Sequence, residues 1–341
     1  MCTRVLYQGS EDLVITARSM DWIDDMNTSL VILPPNTKYT SSLGENPISW
    51  TSKYGSVSTF IYNIGSADGM NEKGLVANLL YLVESEYGYD SKAKDLNIIQ
   101  WLQLSLDLFA TVAEAVNFFQ SNKINIITGS LPNGKVGNGH LSLSDTSGDS
   151  AIFEYINGKL CIHHSREYTV MTNSPKYDEQ LALCRYWKNI SGTTFLPGSI
   201  SAADRFVRAS FFLNAIPKTI APNYITLVPG QLYHRQALAS MFGVIRAVGV
   251  PLGIYDPDKP NLSSTIYRTV SDHKNLVYYF ESATVPSAFW VKLNDINFEK
   301  INSPLVLQNA QNLIHSGEVP LEQFINYKYP TAEEVRKVIS L

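Results

Sequence analysis

The chain has 341 residues, 45% hydrophobic and 17% charged, with 19 Tyr, 14 Phe and 5 Trp, which is ample apolar material for a folded core and excludes a disordered chain. Its 27 basic and 31 acidic residues leave a formal charge of −4, without the basic footprint that phosphate neutralisation needs, so a nucleic-acid partner is not expected. Asp107 interrupts the longest apolar candidate, so no run reaches the roughly 18 residues of a membrane span and membrane insertion is not expected either.

In chain order, residues 2–7 and 13–22 read as strands flanking a short polar segment, a hairpin signal. Further strands are predicted at 56–63 and 74–82. Residues 96–120 carry helical periodicity in two pieces, with Thr111 and Glu114 as a capping box that restarts the helix. A second strand cluster spans 139–172, turned at Asn157-Gly158. Helices follow at 178–189, 201–214 (opened by Ser201 and Asp204) and 231–248. Strands at 265–270, 275–281 and 288–292 and a short helix from Thr331 close the chain. There are no repeats, linkers or low-complexity tracts, so residues 1–341 read as a single domain of stacked sheets between helical layers.

Cysteine is the residue type that carries chemistry here. Cys2, Cys161 and Cys184 are odd in number and widely spaced, so they form neither a disulfide framework nor a paired-thiol metal motif. Cys161 and Cys184 read as packing thiols. Cys2 differs, because loss of Met1 would leave it first in the chain, with an α-amine of pKa about 7.7–8.0 a few bonds from a thiol of about 8.5. If the hairpin loop centres on Ser10, Cys2 faces Arg18, and a guanidinium beside the thiol stabilises the thiolate. Asp21, just beyond, would orient the terminal amine. Strict alternation sends Arg18 and Asp21 to opposite faces, so this scheme expects a bulge or the strand end to re-aim one of them.

Met1-Cys2-Thr3-Arg4, Ala17-Arg18-Ser19-Met20-Asp21-Trp22 and Ala67-Asp68-Gly69-Met70-Asn71-Glu72-Lys73-Gly74-Leu75 together resemble the choloylglycine hydrolase family, which includes penicillin V acylases and conjugated bile salt hydrolases. The resemblance implies an α+β fold, the αββα four-layer sandwich of N-terminal nucleophile (Ntn) hydrolases, with two antiparallel sheets between helical layers. It also implies a cysteine amidohydrolase that cleaves the carbon–nitrogen bond of a small-molecule N-acyl amide without metal or cofactor. Position by position, Cys2 matches the nucleophile, Arg18 the thiolate-side arginine and Asp21 the carboxylate near the amine. Asn173 and the backbone N–H of Tyr81 match the oxyanion donors, and Arg205 the second arginine, with Arg208 read as structural.

Tyr81 is the residue that acylases of this family tend to carry where many bile salt hydrolases carry Asn. The 32-residue interval from Asn173 to Arg205 resembles a Gram-negative subgroup that cleaves penicillin V or long-chain N-acyl homoserine lactones. Met20, Trp22 and Phe60 are expected to line an apolar acyl pocket. By the same resemblance a homo-oligomer, a tetramer, is expected. The compartment is periplasmic or secreted if Met1 replaces a removed signal peptide, and cytoplasmic if Met1 is the native start.

Bile salt hydrolysis, a catalytically silent binding protein on the same fold, and a Cys–His enzyme built on Cys161 or Cys184 are the competing readings. Cys161-x-His163-His164 is the one cluster resembling metal ligands, and three residues on one short strand cannot converge on an ion.

Overall fold

A computed structural model of the chain describes residues 2–191, 196–256 and 262–339. Met1, whose loss the sequence reading invokes, lies outside the described residues. The opening strands Cys2–Gln8 and Val14–Asp21 form the expected hairpin, but in a different register. Cys2 pairs with Met20 and Arg4 with Arg18, so Cys2 is not directly opposite Arg18. The turn centres on Glu11 and Asp12, both left-handed at φ 57° and 54°. Asp tolerates that conformation but Glu seldom takes it, so with Gly9 just ahead the sequence does not place the turn there. Because the slip is two residues, Cys2 and Arg18 still share a face.

That hairpin lies in a seven-stranded sheet ordered Val170–Met171, Cys2–Gln8, Val14–Asp21, Thr265–Asp272, Val277–Ser282, Ala288–Lys292 and Gly317–Glu318. Its pairings are antiparallel except the last, which is parallel. The nine-stranded sheet is antiparallel throughout and centres on His140–Ser144, Val76–Leu80, Gly65–Asn71, Ser56–Ile61 and Ser29–Leu33. Asn157 and Gly158 make the predicted tight turn, both at positive φ. The strand Ser29–Leu33 was not predicted. It is buried on both faces, so its apolar run lacks the alternation that marks a half-exposed strand.

Helices Ile98–Leu108 and Val112–Ser121 cover the nine-stranded sheet, and Ala202–Ala215 and Tyr233–Ala247 cover the seven-stranded one. The two sheets pack face to face, which completes the expected αββα four-layer sandwich. Caps fall where sequence puts them: Thr111 accepts from the Glu114 N–H, Ser201 from Asp204, and Thr331 with Glu334 forms a complete capping box. Residues 96–97, expected to open the helical segment, instead end a short strand, Lys94–Asn97, that pairs in parallel with Ile124–Ile127. Asn97 then caps the helix by accepting from the Ile99 N–H. Among the described residues, no helix is long and apolar enough to cross a membrane.

Candidate active site

Cys2 begins its strand in the interior of the seven-stranded sheet and is 2% exposed. Its side chain faces the seam between the sheets, with Sγ 3.7 Å from Met20 Sδ and 3.6 Å from Arg18 Nη2. Arg18 is wholly buried and crosses the seam: Nη2 donates to the Leu79 carbonyl at 3.3 Å, and Nη1 to the Tyr267 hydroxyl at 3.1 Å. Asp68 Oδ2 stands 4.0 Å from Nη1. Burial opposes the Arg18 charge, but Tyr267, Cys2 and Asp68 outweigh it, so the guanidinium holds its proton more tightly than an ordinary arginine. Asp68 is pushed up by burial and partly restored by Arg18 and by hydrogen bonds from Tyr278 and Asn78.

The main chain of Cys2 is held from the opposite face. Arg205, in the first turn of Ala202–Ala215, is wholly buried and donates to the Cys2 carbonyl at 2.7 Å, to Thr3 Oγ1, and to Asn173 Oδ1 at 3.0 Å. Asp21 Oδ2 lies 3.5 Å from Arg205 Nη1, and Asp21 Oδ1 accepts from the Thr265 hydroxyl at 2.6 Å. Burial lowers the Arg205 pKa, and Asp21 counters part of that fall. Arg18 and Asp21 therefore stay on opposite faces and nothing re-aims either one, contrary to expectation. The bulge falls on the partner strand, between Thr265 and Tyr267. Cys2 is served from both sides at once: its sulfur by Arg18, and its backbone by Arg205, which Asp21 pairs with in turn.

Asn173 closes the constellation. Its Oδ1 accepts from the Cys2 N–H at 2.5 Å, and its Nδ2 donates to the Tyr81 carbonyl at 2.6 Å. Tyr81 follows the strand Val76–Leu80, so this bond ties the two sheets together above the sulfur. Arg208 donates to the carbonyls of Pro197 and Ser199 and does not reach Cys2, as its structural reading requires.

A narrow cavity of about 70 Å³ opens on Cys2 and Arg18. Met20, Trp22, Met26, Ile61, Tyr62, Ala67, Tyr81 and Leu131 give it an apolar wall. Trp22 and Tyr81 meet edge to face at 5.9 Å, and Trp22 Nε1 donates to the Tyr62 hydroxyl at 2.8 Å. Phe60 does not line it, contrary to expectation. A register shift between Thr59 and Phe60 accompanies a ring packed on the sheet's other face, with Val31 and Leu33 beneath Tyr327 and Tyr329. Its neighbours Ile61 and Tyr62 take the wall instead.

Asp68, Tyr267 and Thr265 belong to this assembly and were not singled out as site residues. Asp68, set between Ala67 and Gly69-Met70, was the available signal, since a buried carboxylate needs a cation. Among the described residues no group of His, Cys, Asp and Glu could hold a metal ion. His164 pairs with Asp149 and His163 lies between Glu154 and Asp178, so the Cys161 cluster diverges. Burial, with Glu154 and Asp178, pushes the Cys161 thiol up, which disfavours the thiolate that a Cys–His enzyme would use.

A profile of the linear amide C–N hydrolases, choloylglycine hydrolase family, matches residues 2–312. Over 337 residues the chain is 48% identical to penicillin V acylase of Pectobacterium atrosepticum, covering 93% of this chain and 88% of that one. It is 27% identical to a bile salt hydrolase/transferase of Clostridium perfringens, over 64% of this chain and 73% of the other. The structure of penicillin V acylase from Agrobacterium tumefaciens superposes with a TM-score of 0.85 at 48% identity, covering 97% and 99% of the two chains. A conjugated bile acid hydrolase from Clostridium perfringens shares the fold, with a TM-score of 0.72 at 20% identity over 94% and 99%. The chain is therefore an amide hydrolase of the choloylglycine hydrolase family, the family of penicillin V acylases and bile salt hydrolases.

Proposed function

We propose that removal of Met1 exposes Cys2 as the nucleophile of an N-acyl amidohydrolase of the penicillin V acylase type, which also accepts N-acyl homoserine lactones. The observation that carries this reading is the double hold on Cys2: a buried sulfur 3.6 Å from Arg18 Nη2, and a main-chain nitrogen 2.5 Å from Asn173 Oδ1. The freed amine takes the thiol proton, and the thiolate, stabilised by Arg18, attacks the acyl carbonyl. The second Nδ2 proton of Asn173 and the Tyr81 N–H donate to the oxyanion, and Arg205 fixes Oδ1 so that the amide keeps this orientation. The Cys2 ammonium then protonates the leaving amine as the C–N bond breaks. Water, deprotonated by the same amine, clears the thioester and releases the acid.

The uncharged wall from Met20 to Leu131 favours an apolar acyl group, aryl or alkyl, and leaves the polar amine side of the substrate toward solvent. The 48% identity to penicillin V acylase, against 27% to the bile salt enzyme, supports the acylase side of the family.

Cys2→Ala is expected to abolish hydrolysis while circular dichroism and thermal unfolding stay near parental, and the mass of the purified protein should lack Met1. Turnover retained in Cys2→Ala sinks the mechanism. A panel of penicillin V, acyl homoserine lactones of graded chain length, and glycine- and taurine-conjugated bile salts tests the substrate class. Bile salts turned over fastest would reverse the assignment.

A further inference from the structure

The two oxyanion donors come from different sheets. Tyr81 follows a strand of the nine-stranded sheet, and Asn173 follows Val170–Met171 of the seven-stranded one. Their relative position decides whether both reach one oxygen, and a displacement of about 1 Å in such a site can cost a hundredfold in rate. His140 spans this gap. Its backbone pairs with Leu80, the residue before Tyr81, and its Nε2 lies 2.8 Å from the carbonyl of Thr172, the residue before Asn173.

His140 is held in turn. Its Nδ1 is 2.8 Å from Glu154 Oε1, and Glu154 Oε2 accepts from the Tyr177 N–H at 3.1 Å. Tyr177 opens the helix Tyr177–Ser191, where a carboxylate also meets the positive end of the helix dipole. His163 Nε2 stands 3.7 Å from Glu154 Oε2, and Asp178 faces His163 from the helix at 3.6 Å. His140 is wholly buried. A carbonyl oxygen and an ionised carboxylate accept, so the clamp has Nε2 donating to Thr172 and Nδ1 to Glu154. Neither nitrogen touches Cys2, Arg18 or the acyl pocket.

We propose that His140, locked by Glu154, is a positioning residue that clamps the Thr172–Asn173 segment to Tyr81 and so sets the geometry of the oxyanion donors. This rests on the reading of Asn173 and Tyr81 given above. Removing His140 alone leaves the Glu154 carboxylate buried without its partner, so the test uses the double variant H140L/E154Q, which removes the pair. With penicillin V as substrate, kcat is expected to fall about tenfold or more with KM within about twofold, a part of the 10²- to 10³-fold loss seen when a donor is deleted outright. Alkylation of Cys2 by iodoacetamide should keep its parental rate, because the nucleophile is untouched. His140→Gln, whose amide can donate to Thr172, should recover part of kcat.

A folded double variant with parental kcat overturns the proposal, as does alkylation that falls in step with kcat. If the double variant does not fold, the nitrogen-15 spectrum of histidine-labelled native protein decides: His140 with both nitrogens protonated at neutral pH supports the clamp, and one bare nitrogen overturns it. Cys2→Ala separates the two claims. If it is inactive while H140L/E154Q is fully active, only the clamp falls; if it is active, the nucleophile reading falls and takes the clamp with it.

Discussion

Arg18 has two claimants, the Cys2 sulfur at 3.6 Å and the Asp68 carboxylate at 4.0 Å, and all three groups are buried. Asp68 is what makes an arginine tolerable there, since a guanidinium taken from water without a counter-charge costs several kcal/mol. The bond to Sγ is what the proposed mechanism uses. Deleting Arg18 alone would strand Asp68, so the informative variant is R18M/D68N, which removes the pair. It is expected to fold and to alkylate at Cys2 about tenfold or more slowly at neutral pH, because the sulfur loses the guanidinium that donates to it. Alkylation at the parental rate would show that Arg18 balances Asp68 and does nothing for the sulfur. Cys2, Arg18 and Asp21 were readable from chain position and the hairpin, whereas Asn173 and Arg205 were named only through the family resemblance. Asp68 stands in a distinctive run, yet its partner lies fifty positions away across the seam, and no local pattern announces that pairing. Phe60 failed for the converse reason: an apolar residue near a pocket is named by composition, but a local register shift decides which face it takes.

Among elements, the hairpin shows which information a sequence lacks. Its strands and the face shared by Cys2 and Arg18 follow from alternation, but its register depends on left-handed Glu11 and Asp12, whose conformation the tertiary setting selects. The helix Ile98–Leu108 carries a comparable hidden feature. Asp107, in its last turn, is wholly buried, accepts from Trp50 Nε1 and Gln103 Nε2 at 2.7 Å each, and receives the Lys53 N–H on its carbonyl. Burial pushes its carboxyl up to about 7, with those two hydrogen bonds opposing the shift. Between about pH 4 and 7 the native chain therefore keeps a proton that the unfolded chain has lost, so the Asp107 contribution to stability falls as pH rises, by on the order of 4 kcal/mol in all. Asp107→Asn cannot titrate. Urea unfolding of both proteins should show the parent losing stability relative to the variant from pH 4 to 7, with a constant difference above that. A difference independent of pH would mean that Asp107 titrates normally.

Across the whole molecule, the two sheets are joined by more than apolar contact. His273 bridges the Gly74 carbonyl (2.7 Å) and the Thr16 hydroxyl (2.8 Å), Thr16 meets Ser144, Tyr278 meets Asp68, and His140 meets Thr172. Burial lowers the His273 pKa to about 4. Between pH 4 and 6.5 the unfolded chain binds that proton and the native chain does not, so stability from His273 is complete above 6.5 and is lost as pH falls toward 4. Glu154 follows the rule for a depressed acid. Burial opposes its charge, but His140, His163 and the Tyr177 N–H more than offset it and bring the pKa to about 2. Its contribution is present above about 4.5 and lost as pH falls through 2. Asp107 and Asp68, both raised by burial, run the other way, stabilising the fold as pH falls toward 4. In the parent the acids offset His273, so the urea midpoint should not fall between pH 6.5 and 4 and should drop steeply below 4, where only losses remain. In Asp107→Asn that carboxyl's part of the offset is gone, and the decline should begin near pH 6.5. A parent that weakens steadily from pH 6.5, or a variant that holds level to pH 4, would show that the seam is not balanced by these groups.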